Sequence, residues 1–459
     1  MTKNDKVRML FLVGLVSALA STNVYLLVPN LEVIGHEMNV NNFYLGILAG
    51  GYLISFGIAS LIWGYINDRF NVNRKKLFSF SMIISSVSTF FTALSFDPIS
   101  LLLSRIIAAI FISSILPISF SVIADLFYIE ERVSAFSVWI VLMNIGSAAG
   151  YTLSLFSEKF FHWRTALVID AVILLISIIF IIFLRNPKRG EAEKILEEIF
   201  NKGLLYSFRF DANNIKALFN RKTNIVVISQ VLLSNVAWGA FAVWSLQFLV
   251  SEVNLDKLVA TIIIGVLLFF EIFSVFFARY IDKKSSNNTN FKLNFAALGR
   301  SLQMSSTILF FTAILLFLPT IHSTGFLNQL IETLNAIIGN AVILLTFVLA
   351  IIGHFLGYLS KPISGSVFSE TNLPEERSVI IALMSIFELL GRGIGSIIVG
   401  SIAQITSKIF IGLNIAFMFW GFASIAWILA KKYYSQDVKK LLKLLEERKI
   451  ELLRFSTID

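Results

Sequence analysis

Long apolar runs alternate with short polar stretches along almost the whole chain. Most runs reach the roughly 20 residues that an α-helix needs to cross the hydrocarbon core of a bilayer. The pattern predicts twelve membrane-spanning helices, at residues 7–28, 43–66, 77–95, 99–127, 133–157, 163–184, 223–250, 258–281, 299–319, 337–360, 377–403 and 409–430. The first run continues past Ala18-Leu19-Ala20, which is similar to a signal-peptidase site, so we expect it to be retained as helix 1.

Two longer polar stretches interrupt or follow the runs. Within the first, Glu191–Phe200 has helical spacing of charged and apolar residues and predicts a short surface helix. The second mixes leucines with lysines and arginines, so we expect an amphipathic helix, either on the anionic inner leaflet or simply solvated. The predicted organisation is an N-terminal six-helix bundle (1–190), a cytoplasmic linker (191–222), a C-terminal six-helix bundle (223–430) and a cytoplasmic amphipathic tail (431–459).

The composition fits a membrane protein and limits the kinds of functional site that we expect. Only 15% of the residues are charged and the mean hydropathy is +0.80, whereas soluble proteins carry about 25% charged residues. The chain has no cysteine, and its four histidines are scattered, so we expect no metal site. We find no nucleotide-binding motif or nucleophile–base constellation, and therefore expect no cofactor and no enzyme activity. The net charge of +9 resides in loops, so nucleic-acid binding does not follow from it.

The distribution of lysine and arginine predicts the topology. If both termini are cytoplasmic, nearly all of these residues fall in cytoplasmic segments. Only Lys159, Arg164, Lys257 and Lys408 fall in loops on the other side. This asymmetry follows the positive-inside rule. We expect a multi-pass protein of the plasma membrane, acting as a monomer.

An internal repeat relates the two halves. Pro117–Gly150 aligns with Pro362–Gly395 without a gap, and the identities include Pro117 with Pro362 and Gly150 with Gly395. The run Glu130-Glu131-Arg132 aligns with Glu375-Glu376-Arg377 in the same way. Two parallel repeats with a substrate site between them are a recognised transporter plan. A channel is compatible with the composition, but repeated halves fit a rocking transporter better.

Several of these features together resemble the major facilitator superfamily. They are the six-plus-six helices, the long central loop, Gly64-x-x-x-Asp68-Arg69 with cations downstream, and Arg105 at the position of the family's helix-4 arginine. The stretch Ala278–Lys284 looks like a degenerate second copy of the loop signature. The resemblance implies an all-α fold of two six-helix bundles with pseudo-two-fold symmetry, working by alternating access.

Shorter stretches resemble the Spinster branch of that superfamily, whose members move lysolipids and sphingosine-type lipids. They are Asp68–Lys75, in which Val72-Asn73 is an insertion, Ala124–Phe127, Gly146–Tyr151 with Trp163-Arg164, Pro187–Gly190 and Leu218–Arg221. The resemblance implies an amphipathic anion, such as a lysophospholipid or sphingoid lipid, as the substrate. The alternative is a small polar metabolite or drug-like compound, carried with or without protons.

The chain departs from that branch at residues linked to ion coupling. Ile112 stands where the branch commonly has a glutamate. Helix 1 offers Asn23 and Tyr25 near the place of an Asp-Arg pair. The coupling of the branch is therefore not carried over to this chain.

Ionisable residues inside membrane spans are functional candidates, because burying a charge in lipid is costly. Arg105 suits a phosphate or carboxylate headgroup, or it pairs with Asp170 on helix 6. Glu271 has no partner on its own helix and is the best proton-coupling candidate. His354 titrates near neutrality or is a packing residue.

The remaining substrate-site candidates are Glu388 and Arg392 on helix 11, and Trp238, Asn23 and Tyr25 as possible cavity-lining residues. Glu388 and Arg392 are four residues apart, a spacing that favours an ion pair within one helix.

A charged gate is the last prediction. Asp68 and Arg69 can bridge to Glu376 and Arg377 at the beginning of helix 11, where the helix dipole favours a carboxylate. Glu131 and Arg132 are the repeat-related counterparts. The plainer alternative is that Asp68-Arg69 only anchors the topology.

Overall fold

The computed structural model describes residues 3–40, 42–70, 72–202, 204–210, 215–288, 290–321 and 325–455. Its α-helices are α1 (Lys3–Ser21), α2 (Leu31–Glu37), α3 (Asn42–Arg69), α4 (Arg74–Ala93), α5 (Pro98–Ile112), α6 (Ile115–Leu126), α7 (Arg132–Phe160), α8 (Trp163–Phe183), α9 (Glu197–Asn201), α10 (Ile215–Asn220), α11 (Lys222–Ser251), α12 (Lys257–Phe269), α13 (Ser274–Asn287), α14 (Phe291–Phe317), α15 (Phe326–Gly339), α16 (Ala341–Tyr358), α17 (Ser360–Thr371), α18 (Arg377–Thr406) and α19 (Ile409–Phe455). Short 3₁₀ helices occur at Val28–Asn30, Ile129–Glu131, Lys194–Leu196 and Phe270–Phe273.

In the described ranges, nine helices are long and apolar enough to cross a membrane. They correspond to predicted helices 3 to 7 and 9 to 12. The predicted helices 1, 2 and 8 correspond to α1, α3 and the broken pair α12 and α13. The chain is therefore a multi-pass membrane protein.

The chain divides into two compact units. Unit 1 contains Met1–Asn220, Gly365–Ile386 and Val438–Asp459, and unit 2 contains Arg221–Ser364 and Phe387–Asp437. The later part of α17 and the beginning of α18, together with the tail, thus group with the first six helices. The domain boundaries drawn from the sequence stay a prediction.

Each of two repeat-related prolines follows a short break in a helix, and only Pro117 lies inside a helix that the sequence predicts as continuous. Predicted helix 4 is divided between α5 and α6 just before Pro117, and predicted helix 10 continues past residue 360 but is divided between α16 and α17 just before Pro362. Proline lacks an N–H, and its ring clashes with the carbonyl four residues earlier. The internal repeat therefore extends from sequence to the same local break.

Two other predicted helices are wrong in their extent. Predicted helix 1 reaches Val28, whereas α1 ends at Ser21 and the chain continues in turns. The side chains of Thr22 and Asn23 bond to neighbouring helices at this point. Predicted helix 8 is interrupted by the 3₁₀ turn Phe270–Phe273, which contains Glu271. Both interruptions fall at predicted site residues.

The expectation that the tail lies on a lipid leaflet or is solvated is wrong for its apolar face. The tail continues α19 without a break. Leu441 and Leu445 are buried in a cluster with Leu196 and Ile199 of the linker. Partners from the same chain therefore take the place of lipid or water along this face.

An ionic contact fixes the tail further along. Arg448 pairs with Glu375 and donates to the hydroxyl of Tyr206 (2.6 Å), which itself donates to Glu375 (2.9 Å). Burial raises the pKa of the Tyr206 hydroxyl to about 12. We call the contacts of Leu441, Leu445 and Arg448 with the rest of unit 1 the tail clasp.

Unit 2 has an aromatic core. Phe241 on α11 packs near Phe311, Phe417 and Trp420, with ring centroids 6.2 to 6.4 Å apart. All four side chains are buried. This core supports the face of α16 that carries His354.

Candidate functional site

The carboxylate of Asp68 caps the beginning of α18. Its Oδ2 accepts hydrogen bonds from the backbone N–H groups of Ser378 (2.8 Å) and Val379 (3.1 Å), and its side chain is fully buried. The first N–H groups of a helix have no partner within the helix and carry the positive end of its dipole. Nδ2 of Asn67 also donates to Oγ of Ser378 (2.7 Å). These bonds connect the end of α3 directly to α18.

Gly64 allows this close approach. A Cβ at this position would lie 2.7 Å from the carbonyl oxygen of Ser378, closer than a carbon and a carbonyl oxygen can pack. Gly64 lies one helical turn before Asp68, so both residues of the Gly64-x-x-x-Asp68 signature contact the same end of α18. The signature thus has a steric part and an electrostatic part.

Glu193 in the linker binds two arginines that the internal repeat relates. Its Oε1 accepts from Arg132 (2.6 Å) and from Arg377. Both guanidinium groups are fully buried, and both also donate to the backbone carbonyl of Ser369 (3.3 Å from Arg132 and 3.0 Å from Arg377). Burial alone would raise the pKa of Glu193, but the two arginines outweigh it and lower the pKa to about 2.

Asp125, at the end of α6, joins the same network. Its Oδ1 accepts from Arg377 (3.2 Å) and from the backbone N–H of Gly190 (2.9 Å), and its Oδ2 accepts from Arg74 (2.8 Å). The side chains of Asp125 and Arg377 are fully buried. One carboxylate therefore holds together the beginnings of α4 and α18 and the segment after α8.

Arg189 lies beside Asp68. It donates to the backbone carbonyls of Asn67 (2.6 Å) and Asp68 (2.9 Å), and its Nη2 lies 3.9 Å from Oδ1 of Asp68. We call the buried ionic network the latch cluster: Asp68, Arg74, Asp125, Arg132, Arg189, Glu193 and Arg377.

Three predicted gating residues lie outside the latch cluster. Arg69 is exposed and donates weakly to the carbonyl of Phe210 (3.4 Å). Glu131 is 43% exposed and pairs with Lys6 (3.5 Å). Glu376 is buried but accepts from the backbone N–H of Leu373 (2.8 Å), which shapes the turn before α18. The arginine beside Asp68 is Arg189, which was not among the predicted gating residues.

Sequence reasoning missed Asp125, Arg189 and Glu193 as members of this ionic network. All three lie in segments quoted only for a family resemblance or for helical spacing. A usable signal was available, because the paired arginines Arg132 and Arg377 need buried acids, and Glu193 follows the end of helix 6 closely. Nothing in the linear spacing says which acid they meet.

A second polar cluster lies where α1 ends, inside unit 1. Oδ1 of Asn23 accepts from Arg105 (3.0 Å) and from the hydroxyl of Tyr52 (2.9 Å). Nδ2 of Asn23 donates to Oδ2 of Asp170 (2.6 Å) and to Oγ1 of Thr89 (2.9 Å). All four hydrogen-bonding positions of the amide are therefore used. We call this group, together with Thr22, the Asn23 hub.

Arg105 and Asp170 meet through Asn23. Arg105 donates to the side chain and to the backbone carbonyl of Asn23 (3.1 Å), and its guanidinium lies over the ring of Tyr52, 4.2 Å from the centroid. Arg105 is 2% exposed and Asp170 is fully buried. Tyr25, the other helix-1 candidate, is half-buried near this group. The internal pairing of Arg105 with Asp170 considered from the sequence is thus indirect.

Glu271 and His354 come together in unit 2. Nδ1 of His354 lies 3.5 Å from Oε1 of Glu271 and 3.5 Å from Nε2 of Gln303, and its Nε2 lies 3.2 Å from Oγ1 of Thr307. Oε1 of Gln303 accepts from Arg300 (2.7 Å). Both His354 and Glu271 are buried. The structure thus joins two candidates that the sequence treated separately.

Glu388 and Arg392 form the predicted pair on α18, and each of them has a further partner. Oε2 of Glu388 lies 3.6 Å from Nη2 of Arg392 and 3.5 Å from Nζ of Lys361. Nε of Arg392 donates to Oδ1 of Asn235 (3.2 Å) on α11. Trp238, one turn further along α11, is half-buried and stacks on Phe241. These residues connect α11 with α18 within unit 2.

Comparison with known proteins identifies relatives of this chain. The Sphingosine-1-phosphate transporter SPNS2 of Danio rerio is 30% identical over 227 residues, which cover 48% of this chain and 43% of the relative. The mouse protein of the same name is 29% identical over 205 residues, or 43% of this chain and 36% of the relative. The aligned part therefore spans less than half the length of these relatives. They confirm the resemblance to the Spinster branch.

Solved structures show the fold. The proton:xylose symporter XylE superposes with a TM-score of 0.67 at 14% identity, covering 95% of this chain and 97% of that one. A bacterial homolog of the human lysosomal transporter Spinster, in an inward-facing and occupied conformation, superposes with a TM-score of 0.55 at 15% identity, covering 95% and 99%. The predicted all-α fold is confirmed. The family model of the Major Facilitator Superfamily matches residues 10–353. The chain therefore belongs to the Major Facilitator Superfamily.

Proposed function

We propose that this chain is a secondary transporter that works by alternating access and carries an amphipathic anion, such as a lysophospholipid or sphingoid lipid. The latch cluster is the observation that carries the proposal. It joins α18 to α6 and the linker through buried ion pairs, and to α3 through the hydrogen bonds that Asp68 accepts from the beginning of α18. Such contacts form in one state of a rocking transporter and break in the other.

In this proposal the latch cluster is the inner gate, and it is closed. Arg132 and Arg377 come from corresponding positions of the two repeats and share Glu193. Opening would separate these groups and expose them to water. A network of this kind stabilises the closed state only while all its partners are present, because an unpaired buried charge is costly. Both chain termini and the basic loops would then lie on the cytoplasmic side of the plasma membrane.

The relatives and the charge chemistry favour a lipid anion. Two relatives are named as sphingosine-1-phosphate transporters. Arg105 offers a planar guanidinium inside a membrane-spanning bundle, which matches the oxygens of a phosphate. In the closed arrangement it is held by Asn23, so binding a headgroup would require it to change partners. Glu271 with His354, and Glu388 with Arg392, are the corresponding candidates in unit 2.

Uptake into proteoliposomes tests the substrate class. We expect the purified protein, acting as a monomer, to move a labelled phosphate-bearing lysolipid faster than the same lipid without its phosphate, and to move a labelled sugar no faster than empty liposomes do. Uptake of the sugar or of another polar solute, without any of the lysolipid, would refute the lipid assignment and support the small-metabolite alternative. The assay is run with and without a pH gradient.

A matched pair of variants tests the anion site. Arg105→Ala should abolish the preference for the phosphorylated lipid, because no other described cation bonds to the Asn23 hub. Lys408→Ala removes an exposed positive charge near the end of α18 and should leave that preference intact. Equal loss in both variants would indicate a general charge effect instead of a binding site.

A further inference from the structure

The Asn23 hub contains a carboxyl group whose surroundings differ from those of Asp125 and Glu193 in the latch cluster. Asp170 is fully buried on α8, and its oxygens bond to neutral groups, Oγ1 of Thr22 and Nδ2 of Asn23. Asp125 and Glu193 each bond to an arginine directly, whereas Asp68 bonds to backbone N–H groups at the beginning of α18 and has Arg189 3.9 Å away. An ionised carboxylate buried without a direct cation is costly.

The hydrogen-bond contacts of Thr22 can all be satisfied when Asp170 is protonated. The hydroxyl of Thr22 has a single hydrogen, yet two oxygens lie within hydrogen-bond distance, the carbonyl of Leu19 (2.7 Å) and Oδ1 of Asp170. An ionised Asp170 leaves one of these contacts without its own hydrogen. A protonated Asp170 donates to Thr22, and Thr22 donates to Leu19, so both contacts are satisfied.

Close packing holds this arrangement in place. A Cβ on Gly150 of α7 would lie 1.9 Å from the carbonyl oxygen of Thr22, so α7 and the end of α1 are in direct backbone contact. In the described residues, the titratable groups that act on this cluster are Arg105 on α5, Tyr52 on α3 and Tyr25 after α1. Asn23 bonds to Asp170 through Nδ2 and to Arg105 through Oδ1, and thus connects the two.

We propose that Asp170 is a proton-binding site of this chain. Through Asn23, the protonation of Asp170 determines whether Arg105 is drawn toward Asp170 or is available to an anionic headgroup. Release of the proton to water leaves a carboxylate that attracts Arg105. An anionic headgroup competes for the same guanidinium and thereby favours the protonated acid. Because such coupling is reciprocal, proton and anion bind together. Broken membrane helices with polar groups at the break are a recurring feature of transporter binding sites, and α1 breaks here.

This inference rests on the proposed transport function, so its first test does not use transport. Infrared spectroscopy of the purified protein should show the carbonyl band of a protonated carboxyl group at neutral pH. Asp170→Asn should reduce that band by the contribution of one carboxyl group, and Asp97→Asn, which changes an exposed helix-capping acid, should leave it intact. A protonated-carboxyl band unchanged in Asp170→Asn, or absent from the wild type, overturns the inference. Thermal unfolding verifies that each variant is folded.

The second test measures coupling. Wild type and Asp97→Asn should accumulate labelled lysolipid when a pH gradient is imposed in the favourable direction. Asp170→Asn should lose accumulation entirely but still exchange labelled for unlabelled lipid, and Asp170→Glu should restore accumulation with a shifted pH profile. Accumulation by Asp170→Asn at the wild-type level overturns the inference. A wild type that moves no lipid contradicts the proposed function, and the infrared result then decides the protonation of Asp170 separately.

Discussion

The latch cluster and the Asn23 hub are both buried and polar, but they handle charge differently. In the latch cluster Asp125 and Glu193 each bond directly to two arginines. In the hub a neutral amide stands between Arg105 and Asp170. Direct pairs stabilise one arrangement strongly, whereas a bridged pair can change its protonation without losing a salt bridge. The first arrangement suits a gate and the second suits a switch.

Removing the shared acid of the latch cluster should have the largest effect. Glu193→Ala leaves Arg132 and Arg377 buried without their common partner, and breaking a buried ion pair in this way costs about 3–5 kcal/mol. Thermal or denaturant unfolding in detergent measures the loss. Glu198→Ala, an exposed acid nearby that pairs with Lys449, should change stability little. Similar losses of stability in both variants would mean that the contacts of Glu193 with Arg132 and Arg377 stabilise the fold no more than an exposed ion pair does.

Acid should weaken the latch cluster through the same residue. The pKa of Glu193 is lowered from 4.5 to about 2 in the folded protein, so its contribution is fully present above the unfolded value. The contribution is lost as pH falls from about 4.5 toward about 2. Comparing the unfolding of wild type and Glu193→Gln across this range isolates the contribution. If the free energy of unfolding changes with pH in the same way in wild type and variant, the pKa of Glu193 is not lowered.

The hub should lose function before it loses stability. Arg105→Ala removes hydrogen bonds to Asn23 but breaks no direct salt bridge, so we expect a cost of about 1–3 kcal/mol, below that of Glu193→Ala. Uptake of the phosphate-bearing lysolipid should nevertheless fall to the level of the same lipid without its phosphate. Unfolding and uptake are measured on the same preparation. A larger stability loss than in Glu193→Ala would contradict the contrast between the two regions.

The tail clasp should give the smallest effect. Arg448 is 20% exposed and pairs with Glu375, so Arg448→Ala should cost about 1 kcal/mol, near the upper end for a partly exposed pair. We also expect faster proteolysis of the tail, because Leu441 and Leu445 would be held less firmly. Limited proteolysis checks this point. Lys443→Ala, an exposed residue on the same helix, serves as the control.

Sequence reasoning predicted those features that depend on local patterns. The length of the apolar runs identifies most of the spanning helices. The Gly64-x-x-x-Asp68 signature indicates a contact with the beginning of helix 11, and in the structure Asp68 accepts a hydrogen bond from Ser378 there. The aligned prolines also mark equivalent helix breaks, although the sequence predicts helix 4 as continuous through Pro117 and ends helix 10 at residue 360, before Pro362. These features follow from the chemistry of neighbouring residues.

The remaining features depend on where distant segments meet. Glu193 is an ordinary acid in a polar linker until the fold brings Arg132 and Arg377 to it. The leucines of the tail predict an apolar face, but only the fold supplies Leu196 and Ile199 as its partners. Likewise, the role of Asn23 depends on its reaching four helices at once. Partner identity is a three-dimensional property, and no single-sequence spacing encodes it.

The most direct test of the account is a disulfide across the latch. The chain has no cysteine, so Asn67→Cys with Ser378→Cys can be introduced without removing native thiols. These two side chains are in hydrogen-bond contact, and Asp68 remains in place. Each single-cysteine variant, treated with the same oxidant, controls for side reactions.

We predict that oxidation of the double variant forms the cross-link and stops lysolipid uptake, and that reduction restores uptake in the same sample. This result would show that α3 and α18 must separate during transport. Fully cross-linked protein that carries lipid as fast as the reduced sample would contradict the assignment of the latch cluster as a gate.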